Sequence, residues 1–222
     1  MIGEFLLDEK QETQFSQYFN KLIEYNQKVN LTAITEEKEV YIKHFYDSML
    51  GAKYIPHNST VVDIGTGAGF PGVPLKIYRP DIELCLVDSL NKRVEFLKML
   101  TTKLNINAQC VHSRAEDFAV KNREFFDVAV SRAVASLNTL CEYTLPLIKV
   151  GGIFVAYKGS NAKEELQKAQ NAISTFGGVV EKIEHFQLPN DYGERNIIVI
   201  KKVKNTPLKY PRAKNLPKLK PL

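Results

Sequence analysis

The hydrophobic pattern of the chain changes near residue 55. Before this point, apolar residues recur at three- and four-residue spacing from Phe15 to Val29, which predicts an amphipathic helix. Asp8 and Gln11 stand at the spacing of a capping box, so the helix is expected to begin directly after Asp8. Residues 1–55 are therefore expected to form a small helical amino-terminal segment.

Short apolar runs replace the helical pattern after residue 55. Five of them alternate with amphipathic stretches, a spacing typical of βαβ units in a parallel sheet. These five runs are 60–65, 83–89, 107–113, 126–132 and 152–158. Two further runs, 179–188 and 196–203, are joined by turn residues alone, so they are expected to pair as a hairpin. The pattern predicts an α/β domain over residues 56–203, with an antiparallel carboxyl-terminal strand in a mostly parallel sheet.

Positive charge is concentrated at the carboxyl end of the chain. The sequence contains 30 Lys and Arg against 25 Asp and Glu, and residues 201–222 hold eight of the basic residues and no acid. Four prolines are expected to prevent a helix there, so residues 204–222 are predicted to be an extended basic arm. Such an arm suits a polyanion such as a nucleic acid, while a solvated terminus would have the same composition.

Composition also excludes several classes of protein. The amino terminus lacks the basic and apolar regions of a signal peptide, and no apolar stretch approaches the length of a membrane span. The three cysteines, Cys85, Cys110 and Cys141, are far apart and form no zinc-binding motif. We therefore expect a cytoplasmic protein with buried thiols, without a metal and without a membrane partner.

A glycine-rich loop follows the first predicted strand. Its sequence is DIGTGAGFPG, residues 63–72. Glycine adopts positive φ in a tight turn, and without a Cβ it lets a ligand approach the main chain closely. Because open α/β sheets bind ligands at the carboxyl ends of their strands, we predict Gly65, Gly67 and Gly69 as cofactor-binding residues.

The loop fits two cofactor templates. Residues 67–72 match the G-x-G-x-x-G pattern of dinucleotide-binding folds, and Asp88 stands where such folds place a ribose-binding acid. Residues 63–69 also match the D-x-G-x-G-x-G pattern of adenosylmethionine enzymes, whose cofactor has a ribose as well. The predicted hairpin and the lack of a second substrate domain favour the methyltransferase. An NAD-dependent oxidoreductase and a non-catalytic RNA-binding protein remain the alternatives.

Six motifs in order carry a family resemblance. They are NLTA (30–33), the 63–72 loop, VDSLNKR (87–93), SRAEDF (113–118), FDVAVSRAVASL (126–137) and YKG (157–159). With these motifs the chain resembles the RsmG (GidB) family of 16S ribosomal RNA guanine-N7 methyltransferases. The resemblance implies a Rossmann-like class I methyltransferase fold with a seven-stranded sheet. It also implies S-adenosyl-L-methionine as cofactor and 16S ribosomal RNA or the small ribosomal subunit as partner, with guanosine 527 as the family site.

The resemblance assigns cofactor contacts by position. Gly65 and Phe70 are implied to line the cofactor. Ala115 and Glu116 are implied to hold its adenine end, where the carboxylate would accept a hydrogen bond from the exocyclic amine. Arg132 is implied to complete the pocket by pairing with a carboxylate.

Guanine N7 has a free lone pair, so the implied reaction needs no general base and would rest on positioning. Arg114, Lys158 and Arg195 lie near predicted loop edges and are candidates for holding the target base or RNA, with a plain surface cation as the alternative for each.

Four further cations are predicted RNA contacts. Lys92 and Arg93 begin a helix, where positive charge opposes the helix dipole unless an anion is bound nearby. Lys209 and Arg212 belong to the basic tail. The protein is expected to act as a monomer.

Overall fold

The computed structural model describes residues 2–222 and contains a seven-stranded sheet in the order β3-β2-β1-β4-β5-β7-β6. The strands are β1 (Thr60–Ile64), β2 (Glu83–Asp88), β3 (Ala108–His112), β4 (Phe126–Arg132), β5 (Ile148–Lys158), β6 (Gly178–Gln187) and β7 (Glu194–Lys202). Strand β7 runs antiparallel to both β5 and β6, whereas the pairs among β1 to β5 are parallel. All seven predicted strands and the antiparallel carboxyl-terminal strand are confirmed.

Helices cover both faces of the sheet. They are α1 (Glu9–Val29), α2 (Glu37–Val40), α3 (Asp47–Met49), α4 (Gly72–Tyr78), α5 (Asn91–Lys103), α6 (Ala115–Lys121), α7 (Leu137–Thr144), α8 (Ala162–Thr175) and α9 (Leu216–Leu219). Alternate residues of the strands face opposite sides. Val61 belongs to the core shared with α1, α4 and α5, and Val62 to the core shared with α6, α7 and α8. The inner strands of the sheet are therefore buried on both faces.

The amino-terminal helical segment packs against the glycine-rich loop. Both hydrogen bonds of the predicted capping box between Asp8 and Gln11 are present at the start of α1. The buried Tyr18 of this helix donates its hydroxyl to the carbonyl of Ala68 at 2.6 Å. A π-helical turn, Tyr41–Tyr46, joins α2 to α3 and leads directly to Asp47. These contacts place residues of the first 50 positions beside the carboxyl ends of the strands.

The carboxyl-terminal tail follows the surface of the domain. The prediction that its prolines prevent a helix was wrong, because α9 forms with Pro217 in its first turn. Proline is tolerated there since an amide N–H at that position would have no intrahelical acceptor. The tail begins beside Lys202, whose buried ammonium group donates to Thr206 at 2.5 Å. It is therefore docked against the domain and is not a free arm.

Within the described residues 2–222, no helix has the length and apolar character needed to cross a membrane. The same residues contain no cluster of three or more His, Cys, Asp or Glu side chains suited to a metal ion. Cys85 and Cys141 are buried and Cys110 is half-buried, and all three are free thiols.

Candidate functional site

The buried carboxylate of Asp63 fixes the shape of the glycine-rich loop. Its Oδ2 atom accepts hydrogen bonds from the Thr66 hydroxyl at 2.7 Å and from the Gly72 backbone N–H at 2.8 Å. Burial raises the pKa of Asp63 to about 7, while these two donors act in the opposite direction. Asp63 therefore connects the end of β1 to the start of α4 and closes the loop between them.

A cleft of about 270 Å³ opens beside this loop at the ends of β1, β2 and β3. It is lined by Ile64, Gly65, Val87, Asp88, Ser89, Ser113, Arg114, Ala115, Glu116, Val134, Ala135, Tyr143, Asn215 and Lys218. Asp88 accepts hydrogen bonds from the backbone N–H groups of Gly67 and Leu90, both at 2.9 Å. A carboxylate has about four acceptor sites, so Asp88 can still accept from a ligand hydroxyl.

Glu116 brings a second carboxylate to the same cleft. It stands in the first turn of α6, and its side chain is buried, with 4% of the residue exposed. Its Oε1 atom accepts the backbone N–H of Asn215 at 3.2 Å. The cleft is therefore a surface of hydrogen-bond acceptors beside bare glycine backbone, which suits a ligand with hydroxyl and amine donors.

A larger cavity of about 710 Å³ lies next to the cleft. It is lined by Ile34, Lys43, His44, Asp47, Arg132, Ala133, Val134, Ala135, Ser136, Tyr157, Lys158, Gly159, Glu165 and Arg195. Asp47 is 1% exposed, and its Oδ2 atom accepts from Arg132 at 2.8 Å and from Arg195 at 3.0 Å. One buried carboxylate thus holds two guanidinium groups at the cavity, and the local charge stays positive.

Lys158 fixes the loop that separates the two cavities. Its ammonium group donates to the carbonyl of Ala135 and to the carboxylate of Glu165, both at 2.7 Å. Glu165 also accepts the backbone N–H of Leu137 at 2.9 Å. Val134 and Ala135 line both cavities, so this loop is their common wall.

Aromatic stacking supports the floor of the larger cavity. The His44 ring stacks on Phe70 with centroids 4.5 Å apart, and the Arg132 guanidinium lies 4.9 Å from the centroid of the same Phe70 ring. Burial, and secondarily the charge of Arg132, lowers the pKa of His44 to about 3. His44 is therefore neutral at physiological pH and adds no charge to the cavity.

The predicted cofactor residues separate into two groups. Those that line the smaller cleft are Gly65, Asp88, Ala115 and Glu116. Gly67 adjoins it through its bond to Asp88. Gly69 packs against Tyr18 instead.

Phe70 and Arg132 lie elsewhere. Phe70 packs between Tyr18 and His44 and is absent from the residues that line the cleft. The carboxylate that pairs with Arg132 belongs to Asp47 of the protein itself, 2.8 Å away.

The three cations predicted to hold the target base are also divided between the two cavities. Lys158 and Arg195 line the larger cavity together, whereas Arg114 lines the smaller cleft.

Among the predicted RNA contacts, Lys92 and Lys209 are exposed. Arg93 lies 3.6 Å from Asp88, and Arg212 forms an ion pair with buried Glu142 at 2.6 Å. Two of the four cations predicted to contact RNA, Arg93 and Arg212, are therefore already paired with acids of the protein.

Asp47 and Val134 were missed in the sequence. Asp47 is one acid in a helical pattern, and its two partners are 85 and 148 residues away in the chain. Val134 is a single apolar residue in the loop that follows β4. It matters to the site because it lies against Gly65 and lines both cavities. The available signal for Val134 was its place within the 126–137 motif, whereas Asp47 lies outside all six motifs.

The sheet order, with a single antiparallel strand and acceptors at the carboxyl ends of β2 and β3, defines a Rossmann-like methyltransferase. Solved structures with this fold include a methyltransferase from Pyrococcus furiosus, with TM-score 0.59, 13% identity and coverage of 87% of this chain and 100% of that one. Another is TYW2 from M. jannaschii in complex with AdoMet, with TM-score 0.57, 14% identity and coverage of 71% of this chain and 74% of that one.

Residues 11–198 match the family described as rRNA small subunit methyltransferase G, and the chain belongs to this family. Ribosomal RNA small subunit methyltransferase G from Staphylococcus carnosus is 49% identical over 97% of this chain and 92% of the relative. The Bacillus subtilis protein of the same name is 48% identical over 97% and 92%. The family resemblance is confirmed, and membership supports rRNA methylation over the oxidoreductase and non-catalytic alternatives.

Proposed function

We propose that this protein transfers a methyl group from S-adenosyl-L-methionine to N7 of a guanine in 16S ribosomal RNA, at the family site guanosine 527. One observation carries the proposal. A cleft lined by carboxylates and glycine backbone and a larger cavity lined by cations meet at the wall formed by Val134 and Ala135. A methyl donor in the cleft and a base in the cavity would meet at the edge of this wall, beside Val134 and Ala135.

The residues of the smaller cleft fit an adenosyl cofactor. Gly67 has φ +61°, and a Cβ built there would meet no atom within 4 Å, so its surface is open to a ligand. Asp88 would accept hydrogen bonds from the ribose hydroxyls, and Glu116 would accept one from the adenine amine. Structural neighbours that contain AdoMet or MeSAdo support this choice of cofactor. Gly65, Gly69, Phe70, Ala115 and Arg132 complete the proposed set, with Arg132 acting from the side of the larger cavity and the Phe70 ring packed against its guanidinium group.

The larger cavity suits a guanine nucleotide. Its cations would hold the guanine O6 atom or a flanking phosphate, provided that N7 stays free. Arg195 and Lys158 are the proposed contacts, because both line the cavity and are held by fixed acids. Arg114 would act on the cofactor side of the wall.

The chemistry requires positioning more than proton transfer. The bound cofactor supplies a methyl group activated by its sulfonium sulfur. In the proposed transfer the N7 lone pair would form the new bond as the carbon–sulfur bond breaks, and the positive charge would pass from sulfur to the purine. No proton has to be removed beforehand, and His44, whose pKa burial lowers to about 3, is too weak a base to remove one. The protein's contribution is to align the two reactants and exclude water.

RNA contacts beyond the target base would come from exposed cations. Lys92 begins α5 close to the cleft, and Lys209 belongs to the tail. Arg93 and Arg212 are paired with acids in the structure, so each would contact RNA with one face of its guanidinium group only.

The proposal can be tested by comparing 16S ribosomal RNA from cells with and without the gene. Borohydride reduction and aniline cleave RNA at 7-methylguanosine, and primer extension then locates the cleavage. We expect one cleavage at the family site in the parent strain and none in the deletion strain. Complementation with the wild type should restore it, whereas Asp88→Ala should not.

The Lys204→Gln variant is the matched control, because Lys204 is an exposed cation distant from both cavities. It should restore the cleavage. An unchanged cleavage pattern in the deletion strain would exclude guanine N7 of this RNA as the acceptor.

A further inference from the structure

The smaller cleft has a wall that comes from the far end of the chain. Asn215 and Lys218 line it together with Gly65, Asp88 and Glu116, although more than 95 residues separate them from Glu116. We propose that the carboxyl-terminal segment, residues 212–222, is part of the cofactor-binding site, with Asn215 and Lys218 as its binding residues and with docking of the segment coupled to cofactor binding. This inference rests on the proposed use of the cleft for S-adenosyl-L-methionine.

The first argument is the hydrogen bonding of Glu116. Its Oε1 atom accepts the backbone N–H of Asn215, whereas its Oε2 atom has no hydrogen bond to any residue from 2 to 222. The second oxygen is not one of the fully buried atoms that lack a partner, so it is open to the cleft that Glu116 lines. The Asn215 N–H therefore orients the carboxylate, and the second oxygen is left for a donor in the cleft such as the adenine amine.

The second argument is the strength of the attachment just before Asn215. Glu142 is 1% exposed and accepts three N–H groups of Arg212, the backbone N–H at 2.7 Å, Nε at 2.9 Å and Nη2 at 2.6 Å. Charge-assisted bonds of this kind are the strongest in proteins, and a buried acid without its cation is highly unfavourable. The Glu142–Arg212 pair thus sets the position of the segment three residues before it reaches the cleft.

The third argument is that further bonds hold the segment on the other side of Asn215. The Thr139 hydroxyl donates to the carbonyl of Pro217 at 3.1 Å, and the Asn138 amide donates to the carbonyl of Leu222 at 3.1 Å. Both donors belong to α7. Because α7 also carries Glu142, a single helix fixes the segment on both sides of the cleft.

The location of Lys218 agrees with the charges it faces. The cleft contains the carboxylates of Asp88 and Glu116, and Lys218 is an exposed cation on its rim. This cation offsets part of the negative charge and provides a donor that the cofactor can reach. The basic character of the tail therefore contributes to the cofactor site as well as to any contact with RNA.

Coupling between two events is reciprocal. If the docked segment strengthens cofactor binding, the bound cofactor must strengthen docking by the same factor. S-adenosylhomocysteine is the suitable probe, because it contains the adenosine part and cannot react. The reciprocal effect is measurable in the full-length wild-type chain, without removing any residue.

The experiment is hydrogen exchange of the full chain with and without saturating S-adenosylhomocysteine, with binding first measured by calorimetry. We expect amides of residues 213–219 to exchange several-fold more slowly with the ligand, while the turn around Gly151 keeps its rate. Unchanged exchange in residues 213–219 at proven saturation would overturn the inference and leave the proposed function standing. Absence of any binding to the wild type would instead contradict the proposed function.

A pair of variants measures the same coupling from the other side. Arg212→Gln weakens the attachment, and its dissociation constant for S-adenosylhomocysteine should rise about tenfold. Lys204→Gln removes the same charge from the tail before the proposed segment and does not touch Glu142, so its constant should stay within twofold of the wild type. A folded Arg212→Gln protein with wild-type affinity would also overturn the inference. If this variant does not fold, the exchange experiment on the wild type decides.

Discussion

The Oδ2 atom of Asp47 lies 2.8 Å from Nη1 of Arg132, so a helix of the amino-terminal segment holds the end of β4 through a buried ion pair. The same oxygen accepts from Arg195, while the Oδ1 atom has no hydrogen-bond partner within the described chain. Removing this carboxylate would leave two guanidinium groups facing each other. Asp47 is therefore a positioning residue for the larger cavity.

The Asp47→Asn variant should keep the shape of the site and lose its charge. Without the carboxylate, Arg132 and Arg195 repel each other and leave their present positions. We expect kcat/KM for RNA to fall about 10- to 100-fold, because small misplacements of positioning groups have effects of this size. Affinity for S-adenosylhomocysteine should fall less than kcat/KM, because only Arg132 of the two displaced arginines belongs to the proposed cofactor set.

Glu181→Gln is the control for this prediction, since Glu181 is exposed and lies outside both cavities. It should retain wild-type kinetics. If Asp47→Asn also retained them, the carboxylate would have no part in placing the two arginines.

Gly67 and Gly151 form a matched pair for testing the cofactor cleft. Both have φ in the left-handed region, +61° and +94°, and a Cβ at either would meet no protein atom within 4 Å. Substitution by alanine should therefore destabilise both proteins similarly, by about 1 kcal/mol. Only Gly67→Ala should weaken S-adenosylhomocysteine binding, by about tenfold or more, as measured by calorimetry. Equal affinities in the two variants would argue against cofactor contact at Gly67.

Lys158 is expected to act partly by holding the wall between the cavities. Lys158→Gln removes the bond to the Ala135 carbonyl and the ion pair with Glu165, and we expect kcat to fall about 10- to 100-fold. Glu165→Gln keeps the bond to Ala135, so its loss should be smaller. Single-turnover kinetics of both variants and of the double variant would measure the coupling. Identical losses in both single variants would show that the ion pair alone matters.

The buried His44 should make stability depend on pH. Its pKa is lowered to about 3 in the folded protein by burial and by Arg132, whereas an unfolded histidine has its ordinary value near 6.5. The unfolded chain therefore binds the extra proton first as pH falls. The stabilisation is present above pH 6.5 and is lost progressively toward pH 3.

Between pH 7.5 and pH 5, this residue should lower the free energy of unfolding by about 1–2 kcal/mol. His44→Gln should lack that part of the pH dependence, whereas the exposed His185→Gln should keep it. Urea unfolding at the two pH values measures the difference. The comparison between variants is needed because Asp63, with its pKa raised to about 7, acts in the opposite direction over the same range. Parallel pH profiles for wild type and His44→Gln would contradict the assignment.

The inner strands of the sheet were predictable from the sequence because burial on both faces requires continuous apolar runs, whereas the edge strands β3 and β6 are only partly buried and were predicted from their spacing and turn residues. The Asp8–Gln11 cap was predictable because its bonds are local. The acids of the cleft, such as Asp88, were predictable because the topology places the residue after each strand at one edge.

Contacts that depend on tertiary structure were not predictable in the same way. Nothing near Asp47 indicates two arginine partners distant in the chain, and nothing near Arg212 indicates that a buried acid of α7 pairs with it. The composition of the tail predicted a polyanionic binding partner. A count of charges shows how many cations a segment has, but it does not show which acids of the same protein those cations pair with. The division of the predicted cofactor residues between two cavities likewise depends on how α1 and α3 pack beside the loop.

The π-helical turn Tyr41–Tyr46 limits how this segment can change in length. A π-turn contains one residue more per turn than the surrounding α-helix, and it stands directly before Asp47. Deletion of one residue here would restore α-helical winding and rotate everything beyond it by about 100°. Asp47 would then leave the two arginines, so insertions and deletions should be tolerated at the loop after α1 and selected against within these six positions.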